Sequence, residues 1–270
     1  MTKTSLLQAA YDPEAFRSMG YQLIDELADY LAKCQTGGEE IPANPWIKPA
    51  DAKERWSPAL DQIGSVSSLQ ILTDTLNEGV HLHHPKYMGH QISPPIPITA
   101  LAGLVSDWMN NGMGVYEMGV PGSTMEHLAV KKVSQYMGFS DAADGFITSG
   151  GTLANSTALL AARSIKAQQK VWTDGHDQPL ALMVSEAAHY CVDRAAKIMG
   201  WGERGIIKVP VNDRYQMKTD QLQRLLDEAK EAGTQAIAVV GSACSSASGS
   251  FDDLEAIAAF CQQLVLWFHV

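Results

Sequence analysis

The chain has 270 residues, 46% of them hydrophobic and 19% charged, which supplies a sizeable core and excludes a disordered polymer. Twenty lysines and arginines against thirty aspartates and glutamates leave a net charge of −10, which argues against a nucleic-acid or anionic-membrane partner. The four cysteines (Cys34, Cys191, Cys244, Cys261) form no CxxC pair, and neither a signal peptide nor an apolar run of about 18 residues is legible, so reduced thiols in a cytoplasmic, non-membrane protein are expected.

In chain order, Asp12-Pro13 reads as an N-cap followed by proline at the first helical position. Phe16, Met19, Leu23, Ile24, Leu27 and Leu31 then predict an amphipathic helix ending near Cys34. Gly37, Gly38, Pro42, Pro45, Pro49 and Pro58 predict an extended arm, because prolines forbid both a continuous helix and a central strand. Residues 1–98 are taken as an N-terminal helical arm with its adjoining segment, and 99–270 as a larger domain whose first helix runs from Ala100 to Asn110. From Gly145 onward short apolar runs alternate with helical patterns. Gly145–Thr148 leads into a helix from about Leu153, and Leu180–Ser185 into one from about Tyr190. Gly205–Val211 precedes a helix from Thr219 to about Lys230, Gln235–Ala243 precedes Asp252–Gln263, and Leu264–Val270 closes the chain. Strands alternating with crossover helices predict an α/β fold, a mainly parallel sheet covered by helices. Asp252 with Glu255 resembles a capping box. The last segment reads as a buried central strand, so the chain is expected to be part of a longer polypeptide, truncated in mid-sheet.

The strongest local signal is Thr148-Ser149-Gly150-Gly151-Thr152-Leu153-Ala154-Asn155, at the start of an Ala/Leu-rich helix. Two glycines admit a ligand close to the backbone, the helix start offers unpaired N–H groups, and Ser149 and Thr152 add hydroxyls, together a phosphate cup. An ordinary strand-to-helix turn capped by Thr152 is the alternative. No P-loop lysine follows, and Ile147 stands where a nucleophile elbow needs glycine. His189, in Ser185–Tyr190, projects from the next strand end, where an imidazole can stack on a flat aromatic ligand or handle protons. The cluster His81, His83, His84 and His90 reads as a pocket wall, with metal binding as its rival; no metal site is expected, for want of helical pairing and companion carboxylates. Glu126 reads as a helix-start charge, and Trp172, Trp201 and Trp267 as core.

Taken together, His84–His90, Pro121–Glu126, Ser149–Asn155, Ala188-His189 with Lys197, and Ser242–Asp252 resemble the pyridoxal-phosphate-dependent amino-acid decarboxylases of the glutamate, aromatic-amino-acid and diaminobutyrate group (group II). The resemblance implies a fold-type I architecture, pyridoxal 5'-phosphate as cofactor, a small amino-acid substrate and a homodimer. Carried over by position, Gly151 and Thr152, with Ser149 and Gly150, would hold the phosphate and His189 would stack on the ring. Ser245 stands where the family usually has threonine, and Cys244 where it usually has glycine. His84, His90 and Gln91 would contact substrate. The family's ring-nitrogen aspartate and Schiff-base lysine would lie beyond Val270, so the 270 residues by themselves are expected to lack turnover, and none of Lys166, Lys170, Lys197, Lys208, Lys218 and Lys230 is a substitute. A related lyase or aldehyde-forming enzyme and a non-catalytic cofactor-binding or assembly subunit are the alternative readings.

Overall fold

The computed structural model describes residues 8, 10–37, 41–61, 68–89, 92–167 and 171–270, and divides the chain into two units, 1–110 and 111–270. In the first unit, helix α1 (Pro13–Thr36) starts as its sequence requires: the Asp12 carboxylate accepts the Glu14 N–H at 3.0 Å, and Pro13, which lacks an N–H, occupies the first turn. It ends at Gly37, whose φ of 61° suits glycine and where a Cβ would come within 2.7 Å of the Pro85 ring. The expected extended arm contains a second helix, α2 (Pro49–Asp61). Pro49 is harmless in the first turn, and Pro58 falls in the last, where it removes a single bond. Arg55 of α2 pairs with Glu78, the final residue of α3 (Ser68–Glu78), at 2.8 Å. Helix α4 (Pro97–Met109) buries none of its residues within the chain, although Leu104, Val105 and Trp108 are apolar and more than half exposed.

The second unit opens with α5 (Val120–Tyr136) and α6 (Gly151–Lys166) and then builds four parallel strands: β1 (Leu180–Ser185), β2 (Ile206–Val209), β3 (Gln235–Val240) and β4 (Trp267–His269). Their order in the sheet is β2-β1-β3-β4, with Val184 opposite Val240 and Val240 opposite His269. Strand β1 is buried at every residue, which is why Leu180–Ser185 reads as a continuous rather than alternating apolar run. One face, with Leu180, Leu182, Val184 and Ile237, packs on Leu159 of α6 and Cys191, Val192 and Ala195 of α7 (Cys191–Ile198). The other, with Met183 and Val239, packs on Leu222 of α8 (Leu222–Glu231) and Ile257 and Cys261 of α9 (Leu254–Leu264).

Several expectations are corrected. Gly145–Thr148 pairs with no strand among the described residues; Phe146 and Ile147 are exposed, and the Ile147 N–H goes instead to the Glu126 carboxylate at 2.8 Å. Glu126 is therefore not a helix-start charge: it is the seventh residue of α5 and its carboxylate is committed to that N–H. Trp172 is 81% exposed, whereas Trp201 is buried and Trp267 packs against the core. Strand β4 begins at Trp267 rather than Leu264, since Leu264 closes α9 and Val265 caps it, and it pairs with β3. The cap of α9 is Asp253, not Asp252; the buried Asp252 carboxylate accepts the Met217 and Ser242 N–H groups at 2.7 and 2.8 Å. No helix among the described residues is long and apolar enough to cross a membrane.

Candidate cofactor site

Two hydrogen bonds give the direction of α6 against the sheet. At one end the Gln235 amide, at the start of β3, donates to the carbonyl of Lys166, the last residue of α6. At the other end His269, the last residue of β4, meets Asn155 in the second turn of α6. The helix thus runs antiparallel to the strands and brings its N-terminus, with Ser149, Gly150, Gly151 and Thr152, to their carboxyl edge. That edge collects the strand-end loops and, here, the positive end of a helix dipole.

No side chain caps α6. The Thr148 hydroxyl is turned back onto the Gly150 carbonyl at 3.0 Å, while Ser149 and Thr152 are exposed. Among the described residues, a Cβ built on Gly150 would meet nothing within 4 Å, and one on Gly151 only the Asn155 amide nitrogen at 4.0 Å. Neither glycine is demanded by a positive φ. The result is an open, uncapped cradle of N–H groups and hydroxyls, electrostatically suited to an anion such as a phosphate.

The loop after β1 carries His189. Ser185 is buried and its Oγ accepts the Ala187 N–H at 3.1 Å, while the Glu186 carboxylate accepts the Val211 N–H at 3.0 Å, so both ends of the turn are fixed. His189 is exposed, and its Nδ1 accepts the Cys191 N–H at 3.2 Å, which leaves the proton of the neutral ring on Nε2. The loop after β3 begins at Gly241, where a Cβ would lie 2.9 Å from Leu254, and carries Ser245, whose Oγ lies 3.4 Å from the Ala187 carbonyl. Since β3 lies between β1 and β4, the His189 loop and the β4 end stand two strand spacings apart, about 10 Å.

His84 belongs to the first unit. It is buried, and its Nδ1 accepts the Lys86 N–H at 3.0 Å in a turn. His90, Gln91 and Lys170 lie outside the described residues. His81 is also buried: its Nδ1 stands 2.8 Å from the Tyr30 hydroxyl, and the ring also hydrogen-bonds the Asn77 carbonyl. Burial, then the neighbouring His84, lowers the His81 pKa against the opposing effect of that carbonyl. Burial likewise pushes the Tyr30 hydroxyl up. Among the described residues no group of three or more His, Cys, Asp or Glu is placed to hold a metal ion. Of the lysines, Lys197 and Lys208 are paired with Glu203 and Asp193 at 2.6 and 2.7 Å, and Lys166 lies at the far end of α6 from the cup.

Sequence reasoning gave no role to His269, named Asn155 only as the last residue of the cup motif, and took Asp252 for a helix cap. Asn155 carried a signal, standing four residues after Gly151 on one helix face, whereas the partners of His269 and Asp252 lie too far along the chain to be inferred from spacing.

Known proteins share this fold. The pyridoxal-dependent decarboxylase conserved domain matches residues 51–270. An aromatic-L-amino-acid decarboxylase of Bacillus atrophaeus is 24% identical over 263 residues, covering 95% of this chain and 52% of that protein. An L-2,4-diaminobutyrate decarboxylase of Acinetobacter baumannii is 26% identical over 254 residues, covering 88% and 48%. The chain thus spans about half the length of these curated relatives. The crystal structure of mouse CSAD superposes with a TM-score of 0.85 at 24% identity, over 96% of this chain and 55% of that one. The fold is the fold-type I architecture expected from the sequence.

Proposed function

The chain belongs to the pyridoxal-dependent decarboxylase family, and on that premise we propose that the protein removes the α-carboxyl group of an L-amino acid as carbon dioxide, leaving an amine. Supporting this reading is the cradle at Gly150 and Gly151, an uncapped helix start where, among the described residues, only the Asn155 amide nitrogen comes as near as 4.0 Å to an added Cβ. The residues present fit pyridoxal 5'-phosphate: Ser149, Gly150, Gly151 and Thr152 would hold its phosphate, the His189 imidazole would lie against its ring, and Ser245 would stand beside it. When bound, the cofactor supplies a protonated ring that takes up the electrons released as carbon dioxide departs. The chain's part is positional. The dipole and N–H groups at the start of α6 would hold the dianion, and His189, anchored through Nδ1, would offer Nε2 as the atom that carries a proton near the ring. On the same reading residues 1–98 form an arm and 99–270 a cofactor domain, His84, His90 and Gln91 face the substrate, and the protein works as a cytoplasmic homodimer. The uncovered apolar side of α4 is consistent with a second subunit.

The test is carbon dioxide release from aromatic, acidic and diamino acids by the complete protein, stripped of cofactor and then resupplied. Release that depends on added pyridoxal 5'-phosphate, with the amine as co-product, is expected. Aldehyde with ammonia, or no release from any of the three classes, would overturn the assignment.

A further inference from the structure

We propose that Asn155 and His269 are positioning residues that aim the Gly151–Thr152 peptide of α6 at the phosphate of the cofactor. The inference rests on the cofactor reading above. It starts from two side-chain bonds that form one directed chain. The Asn155 amide nitrogen donates to the Gly151 carbonyl at 2.7 Å, which settles which end of the amide is oxygen, so Oδ1 must accept from His269 Nε2 at 2.6 Å. Nε2 therefore carries a proton. Burial lowers the His269 pKa, which keeps the ring neutral at pH 7 with its proton on that donor.

The Gly151 carbonyl is the first of the helix and already takes an N–H from the following turn. Asn155 gives it a second donor. A trans peptide is planar, with C=O and N–H pointing in opposite directions, so fixing the Gly151 oxygen down the helix aims the Thr152 N–H out of its end. That end is the open cradle. His269 is itself held through its backbone, since its carbonyl accepts the Gly241 N–H at 2.8 Å. The orientation of one phosphate-facing N–H is thus referred through two side chains to the end of β4 and the start of the β3 loop. A glycine pair at a helix start is otherwise its loosest part, and a donor left free to rotate loses part of its binding free energy in ordering.

A staple that merely fastens α6 to β4 would affect every ligand of the site equally; an aimed phosphate donor would not. The experiment compares pyridoxamine 5'-phosphate with pyridoxamine, titrated into the cofactor-free complete protein and followed by tryptophan fluorescence, with thermal midpoints recorded alongside. In Asn155→Ala the phosphorylated ligand is expected to bind about tenfold more weakly while pyridoxamine changes less than about twofold, one hydrogen bond to a charged group being lost. His269→Leu should behave as Asn155→Ala does, and His269→Gln, whose amide still donates, should restore binding to within about threefold of the parent. Equal losses for the two ligands, an unchanged preference for the phosphorylated one, or a His269→Gln protein no better than His269→Leu would each overturn the proposal. If Asn155→Ala does not fold, the two His269 variants decide the matter alone. A parent protein that shows no preference for the phosphorylated ligand would instead remove the cofactor reading beneath it.

Discussion

Gly151→Ala moves stability and cofactor binding in opposite directions. Gly151 is the first residue of α6, is absent from the positive-φ glycines, and a Cβ there meets only the Asn155 nitrogen at 4.0 Å, an ordinary contact. Alanine therefore fits the folded backbone without strain while restricting the unfolded chain, a gain of about 0.4–1 kcal/mol. The same methyl group projects into the space assigned to the phosphate. Displacing one charge-assisted N–H contact costs about 1.5–3 kcal/mol, which is roughly a tenfold to hundredfold loss of affinity. The assay pairs urea unfolding of the cofactor-free protein with a spectrophotometric titration by pyridoxal 5'-phosphate. Gly20→Ala, in the middle of α1 and equally free of neighbours, serves as the control that stabilises without touching binding. A Gly151→Ala protein that binds cofactor as well as its parent would refute the placement of the phosphate. One that is destabilised would refute the reading of the cradle as open.

Two further outcomes follow from buried polar groups. Asp252→Ala strips the Met217 and Ser242 N–H groups of their common acceptor and should cost about 1–3 kcal/mol in denaturant unfolding for the buried Met217 group, with a smaller addition from half-buried Ser242; a loss below about 1 kcal/mol would overturn the account. Burial lowers the folded-state pKa of both His269 and His81 below the ordinary value of 6.5, so below about that pH the unfolded chain binds more protons and stability falls on acidification, with the slope ending once the folded-state rings are themselves protonated. Thermal midpoints from pH 7.5 to pH 5 should show this decline, and His269→Gln should make it shallower; parallel profiles for parent and variant would contradict it.

The sheet was legible because its signals are local. Leu180–Ser185 and Gln235–Val240 are short apolar runs followed by helical patterns, and a strand buried on both faces needs no alternation. The helix start at Gly151 was legible for the same reason, glycines and hydroxyls ahead of an Ala/Leu-rich run being visible within eight residues. Misreadings arose where a distant partner decides the outcome. Gly145–Thr148 has the apolar texture of a strand, yet the hydrogen bond of Ile147 goes to Glu126, 21 residues earlier. Asp252 resembles a cap because Glu255 stands three residues on, but its carboxylate is claimed by Met217, 35 residues upstream, and the cap falls to its neighbour Asp253. Pro58 argues against helix by its own chemistry, and only its position in the final turn of α2 makes it tolerable.

Glycine illustrates what the sequence leaves undivided. Gly151 and Gly241 both follow a short apolar run in the sequence, and composition treats them alike. At Gly241 a Cβ would press to 2.9 Å from Leu254 and 3.3 Å from Ile257, so the packing of α9 against the sheet accounts for the residue completely. At Gly150 and Gly151 neither backbone strain nor any neighbouring atom of the described residues excludes a side chain, and at Gly151 a helix would be better served by alanine. A position where the fold prefers another residue is one where something outside the fold sets the requirement. Because that position is also an uncapped helix start at the carboxyl edge of a parallel sheet, the proposed cofactor phosphate would meet that requirement, and on the same proposal the two side chains that hold the adjoining peptide would be part of how it is bound.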